Sequence, residues 1–218
     1  MCYYACNNLS KTMRKLKLQL QVSIDGYLAG PGGELDWMVW NWDNELKKYI
    51  FNLTRPVDCI LLGKNLANVF IDTWQQRLKE KSTDSFARKM VDTPKVVFSR
   101  TMNKISWKNT RLANGNLIEE VNRLKNMKGR DIIVYGGVSF LSSLIKTGLI
   151  DEYNFFINPV LLGDGISIFR NPEFRLNLDL VYSTSFDCGI TALCYIPKRS
   201  RENNTESMSW ISNSAEDK

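Results

Sequence analysis

Polar and apolar positions alternate through Leu16-Lys17-Leu18-Gln19-Leu20-Gln21-Val22. A period of two predicts a strand at about 16–22, since successive side chains of an extended chain point to opposite faces. A glycine-rich loop, Ser23 to Trp42, follows. Leu46, Ile50 and Leu53 then fall on one face of a helix predicted near 43–54, with Asp43 as N-cap and Pro56 as the stop. Val57 to Leu62 reads as a buried strand leading into Gly63-Lys64-Asn65 and a short helix. Residues 72–93 read as a charged connection with partial helical character. Lys95 to Phe98 is the next strand, a helix spans about 116–127 and Gly129 ends it. Asp151 to Asn158 is a further strand, and Leu178–Phe186 with Ile190–Ile196 forms a closing hairpin around Asp187-Cys188-Gly189.

The densest signal is Asp131-Ile132-Ile133-Val134-Tyr135-Gly136-Gly137-Val138-Ser139-Phe140-Leu141. It is a buried strand, two glycines and a helix whose end is marked by Gly148. Glycine lets the backbone approach a ligand, and the free N–H groups of a helix's first turn favour an anion such as phosphate. The order β-α-β-α-β predicts an α/β protein with a largely parallel sheet and an antiparallel C-terminal edge. One domain is expected over 14–198, with an N-terminal extension at 1–13 and a polar C-terminal tail at 199–218.

Composition narrows the chemistry. No run approaches the ~18 apolar residues of a membrane span, and Met1 to Asn8 lacks the pattern of a signal peptide, so a cytoplasmic protein is expected. The five cysteines show no metal-like pairing, which points to reduced thiols. With no histidine in 218 residues, every mechanism needing a histidine base or ligand is excluded. The net charge of +6 is spread along the chain without a basic block. That suits a small phosphorylated ligand better than nucleic acid.

In open α/β sheets ligands lie beyond the carboxyl ends of the parallel strands. Three such ends carry suitable groups: Gly63-Lys64-Asn65, Ser99-Arg100-Thr101 and Gly136-Gly137. Lys and Arg neutralise phosphate, and hydroxyls bond ribose or phosphate oxygens. No G-x-G-x-x-G and no P-loop lysine is present, so neither fingerprint applies.

Val22 to Ala29 with Leu35-Asp36-Trp37 resembles the opening of the dihydrofolate-reductase-like superfamily. The match is nearer to the branch of the riboflavin-biosynthesis deaminase–reductase C-terminal (reductase) domain and its stand-alone relatives. Ile60 to Lys64, Phe98 to Thr101, Val134 to Gly137, Gly148 to Glu152 and Pro159 to Gly165 continue the resemblance in order, over about 16–197. It implies a three-layer α/β/α sandwich that uses NADP(H). The implied reaction is hydride transfer to a C=N or C=O bond of a small pterin- or ribosylamino-pyrimidine-like heterocycle. Gly63, Lys64 and Asn65 then match the turn against the cofactor. Lys64 stands where the family has Arg, which blunts preference for a 2′-phosphate. Ser99, Arg100 and Thr101 match the adenosine ribose and phosphate loop, and Gly136, Gly137, Val138 and Ser139 the pyrophosphate turn. Leu28 and Ala29 would lie near the nicotinamide.

On the substrate side, Glu45 falls at the position of the pterin-binding helix carboxylate. If buried, it would have a raised pKa suited to a proton relay; a first-turn glutamate favourable to the helix dipole is the plainer role. Asp36 is the second catalytic candidate. Asp25, Trp37 and Trp40 are candidates for binding substrate, although Asp25 and Asp36 equally suit ordering of the loop, and one or two of Trp37, Trp40 and Trp42 belong to the core. The deaminase domain and the family's longer set of ribose-phosphate residues are not found. A nucleotide-binding sensor or partner on the same fold is the alternative function. A homodimer is implied, with the apolar Asn154-to-Leu162 region as the segment available to pair across chains.

Overall fold

The computed structural model describes residues 13–169 and 175–198. The extension and tail expected at the two ends lie outside the described residues, apart from Met13. The strands are β1 (Leu16–Ser23), β2 (Val57–Gly63), β3 (Lys95–Phe98), β4 (Thr110–Leu112), β5 (Asp131–Tyr135), β6 (Glu152–Asn158), β7 (Leu178–Ser185) and β8 (Thr191–Pro197). The helices are α1 (Asn44–Thr54), α2 (Lys64–Glu80), α3 (Ser85–Asp92), α4 (Leu117–Asn126) and α5 (Val138–Lys146). One sheet runs β4-β3-β2-β5-β1-β6-β8-β7, parallel from β4 to β6 and antiparallel through β8 and β7.

The alternation in β1 does what a central strand requires. Leu16, Leu18, Leu20 and Val22 enter one core with Val121 and Leu124 of α4 and Leu141, Leu144 and Ile145 of α5. The opposite face is covered by α2 and α3 over β2 and β3, and by α1 over β6 and β8. That is the expected α/β/α sandwich. Asp43 caps α1 as predicted, its Oδ1 accepting from the Leu46 N–H at 2.8 Å. The hairpin turns at Gly189, whose φ of +90° suits a residue without Cβ.

Three features depart from expectation. The helix after Gly63 is not short: α2 runs for 17 residues, and the charged connection resolves into its second half and α3. Leu66, Ala67, Phe70, Ile71 and Trp74 hold the inner stripe, while the outer face is polar enough to dilute the signal. The strand β4 was not anticipated, because three half-buried residues carry no readable period. The third concerns pairing across chains. Residues 154–158 cannot offer a free edge, since β6 is bonded on both sides, to β1 and β8; the free edge on that side is β7.

Charged side chains gather where the parallel strands begin. Lys17 Nζ meets Asp131 Oδ2 at 2.8 Å, and Lys125 Nζ meets Asp151 Oδ2 at 2.6 Å. Arg14 pairs with Asp58, which also accepts the Arg130 N–H. Lys17, Lys125 and Arg14 are buried, so these carboxylates compensate charges that would otherwise be costly.

Candidate functional site

The carboxyl ends of β5, β2 and β3 open on a cavity of ≈ 1200 Å³. That is ample for an organic cofactor, for which sites of about 300–1,000 Å³ are usual. Its walls are built from the three strand ends singled out by sequence. Gly63, Lys64 and Asn65 come from the β2–α2 junction, Ser99, Arg100 and Thr101 from the end of β3, and Gly137, Val138 and Ser139 from the start of α5. Gly136 is set back from the wall. Leu28 and Ala29 are too, but they are tied to the wall residue Ile166: the Leu28 N–H donates to Ile166 O at 2.8 Å, and the Ile166 N–H to Ala29 O at 2.9 Å.

The helix ends define the electrostatics. Side chains cap α1, α3 and α4, through Asp43, Asp84 and Asn116. The N-caps of α2 and α5 are Gly63 and Gly137, which have no side chain to offer. These two uncapped ends face the same cavity, so both leave first-turn N–H groups and the positive end of a helix dipole for an anion. Lys64 and Arg100 add full positive charge. Lys64 Nζ donates to Thr101 Oγ1 at 2.6 Å, joining two walls of the cavity. Ser99 Oγ accepts from the Thr101 and Met102 N–H groups at 3.1 and 2.9 Å, which shapes the loop and leaves Arg100 exposed.

The glycines divide by purpose. A Cβ on Gly63 or Gly136 would stand 2.9 or 2.6 Å from atoms of the Phe140 side chain, so these two let α5 approach the sheet. Gly137 has nothing within 4 Å of such a Cβ and faces the cavity. Phe140 also stacks on Phe98, with centroids 5.1 Å apart. Its part in the wall was missed by sequence reading, as was that of Ala113 and of Gly115 to Glu119 around the start of α4. The pattern Asn116-Leu117-Ile118-Glu119, a cap with an acid three residues on, was the available signal.

The substrate-side candidates stand apart from this cavity. The Glu45 side chain is 76% exposed and lies 3.9 Å from Lys48, because α1 turns Leu46 and Ile50 inward instead. The buried carboxylate expected there is therefore not formed by Glu45. Asp36 is exposed. Asp25 accepts from Ser23 Oγ at 2.6 Å and from the Gly163 N–H at 2.7 Å, so it ties the loop after β1 to the segment after β6. The Ser23 hydroxyl and the Gly163 amide hold its carboxyl below the usual range. Trp37 Nε1 donates to Glu34 O, and Trp40, 63% exposed, stacks on Trp42, which packs into the α1 core. On the face of β1 beneath α1 and α2, Gln19 accepts from the Tyr135 hydroxyl at 3.0 Å, and Gln21 from Asn158 Nδ2 at 2.8 Å.

Residues 14–192 match the RibD C-terminal domain family, and the chain belongs to that family. It is 35% identical over 193 residues to the uncharacterized protein YyaP of Bacillus subtilis (strain 168), covering 87% of this chain and 97% of that one. Its fold is similar to that of a diaminohydroxyphosphoribosylaminopyrimidine deaminase/5-amino-6-(5-phosphoribosylamino)uracil reductase from Thermotoga maritima. The TM-score is 0.62 at 15% identity, over 86% of this chain and 58% of that one. Dihydrofolate reductase from Enterococcus faecalis, complexed with NADP(H), is similar in fold at a TM-score of 0.52 and 12% identity, over 85% and 97% of the two chains. No helix among the described residues is long and apolar enough to cross a membrane.

Proposed function

We propose that the protein is a reductase that uses a reduced nicotinamide dinucleotide, NADPH by family resemblance, to reduce a C=N or C=O bond in a small heterocycle. One observation carries the reading: two uncapped helix N-termini and the Ser99-Arg100-Thr101 loop meet in a single cavity. That donor set fits a pyrophosphate between two rings. The ends of β1, β5, β2 and β3 are successive neighbours, and three spacings of about 4.8 Å span about 14 Å from the nicotinamide end to the adenosine end. Gly137, Val138 and Ser139 would hold the pyrophosphate; Ser99, Arg100, Thr101 and Lys64 the adenosine phosphate; Leu28 and Ala29 would flank the nicotinamide. A bound cofactor would supply the hydride and be oxidised, and the substrate nitrogen or oxygen would take up a proton.

For the substrate, Gln19, Gln21 and Tyr135 offer uncharged hydrogen-bonding groups that suit a neutral heterocycle. Asp25 orders the loop that carries Trp37 and Trp40, whose rings are the stacking surfaces. Of the two carboxylates assigned to proton delivery, Asp36 is the one this reading retains in the loop. A homodimer in the cytoplasm completes it.

Calorimetric titration with NADPH and NADH tests the cofactor site. Binding that weakens in Lys64→Ala and Arg100→Ala supports it, and no binding of either cofactor rejects it. The exposure of Glu45 favours a second reading, a nucleotide-binding sensor without turnover. It requires cofactor binding with no NADPH oxidation across pterin, pyrimidine and quinone-like compounds, and a response unchanged in Asp36→Asn.

A further inference from the structure

Glu119 and Glu120 are adjacent in the first turn of α4, yet their surroundings differ. Glu120 is 1% exposed and takes Arg111 at 2.5 Å and Arg123 at 2.8 Å. Glu119 is exposed and lines the dinucleotide cavity. Arg123, four residues on, is the partner helix geometry would offer Glu119, but both its Nε and Nη2 donate to Glu120. Among the described residues Glu119 forms no ion pair. Its N–H is fixed by Asn116 Oδ1 at 2.9 Å, and its Oε2 lies 3.1 Å from where a Cβ on Gly115 would stand, so the carboxylate is turned back toward the cavity rim.

The place of this charge matters. α4 follows β4, the strand beside β3 at the end of the sheet, so Glu119 shares the far end of the cavity with Ser99, Arg100 and Thr101. That is the adenosine end under the proposed function. A carboxylate there repels a 2′-phosphate but accepts hydrogen bonds from a free ribose diol, the pairing by which acidic residues select the non-phosphorylated cofactor. Two cations, Lys64 and Arg100, line the same cavity. Lys64 is tied to Thr101 and lacks the planar fork of arginine.

From this we infer that Glu119 sets the cofactor selectivity of the cavity, offsetting Lys64 and Arg100 so that NADH is accepted alongside NADPH. The inference rests on the dinucleotide reading of the cavity.

The test is calorimetric titration of the full chain and of Glu119→Gln with NADPH and with NADH, repeated at high salt. Removing one negative charge near a phosphate should tighten NADPH on the order of fivefold, with NADH held or weakened slightly. The change should shrink in 1 M salt, where the Debye length is about 3 Å. Glu119→Asp, which keeps the charge, should retain the wild-type ratio. If both cofactors bind and their ratio is the same in Glu119→Gln, the selectivity role is wrong while the cavity's function stands. If neither binds the wild-type chain, the dinucleotide reading fails and takes this inference with it.

Discussion

The Cβ of Phe140 stands 2.9 Å from the point where a side chain on Gly63 would begin. The contact joins the first residues of two helices to the end of β2, so packing and ligand site meet at one spot. Gly63→Ala is expected to cost about 1–3 kcal/mol, the usual range for overpacking, because the root of a side chain cannot swing aside. Urea denaturation would read this as a lower midpoint at unchanged slope. An unshifted midpoint would show that α5 yields easily.

Gly137→Ala should behave in the opposite way. With φ at −75° and open space around the added methyl, stability should stay within about 0.5 kcal/mol of wild type. The methyl would project where a ligand anion approaches α5, so the dissociation constant for NADPH should rise. A loss of stability with normal binding would reverse the roles given to Gly63 and Gly137.

These two glycines show what the sequence could and could not convey. Gly63 and Gly136-Gly137 were identifiable as turns at strand ends, and the cavity does assemble there. That two of them serve Phe140 was not readable, because the contact joins residues 77 apart for Gly63. Glu45 shows the same limit: spacing put an acid near the right turn of α1, but only the packing of Leu46 and Ile50 reveals which way it faces. Glu120 reads as ordinary helix surface until Arg111 arrives from β4, a strand too short to announce itself. What was legible rested on periods and turns; what was hidden rested on contacts between distant segments.

Glu120 should respond to acid. Burial alone would raise its carboxyl, but hydrogen bonds from Arg123 and Arg111 outweigh that and hold it below the ordinary value of 4.5. A depressed folded value means that stability is fully present above about pH 4.5 and is lost as pH falls through the folded value. Glu120→Gln leaves two half-exposed arginines with a neutral partner and should cost about 1–3 kcal/mol. Thermal melts at pH 7 and pH 4 should show a wild-type decline that is smaller in this variant. Equal declines would place the acid-sensitive group elsewhere.

Lys95 predicts a slope of the same sign at alkaline pH. Burial pushes its ammonium down to about 8 from 10.5, with Asp92 opposing weakly. The folded state therefore binds fewer protons between these values, and this group's contribution to stability rises as pH increases from about 8 to 10.5. Lys95→Met should lose that rise when unfolding is compared at both ends of the window. A rise that persists would assign it to another group.

Asp25 offers a local test of the nicotinamide end. Asp25→Asn removes the carboxylate that accepts the Gly163 N–H, so exchange of that amide with solvent should quicken about tenfold. Amides of β6 should be unaffected. Unchanged exchange at Gly163 would mean the loop is held by the Ala29–Ile166 bridge and the Ile24–Val160 bond without help from Asp25.

The ion pairs formed by Lys17, Lys125 and Arg14 all lie at the opposite end of the sheet from the cavity. The framework is thus fastened at one pole and left adjustable at the other. Loops at the adjustable pole can exchange residues over generations without loosening the fastening. Substitutions in the cavity loops should therefore cost the framework less than substitutions among the buried ion pairs.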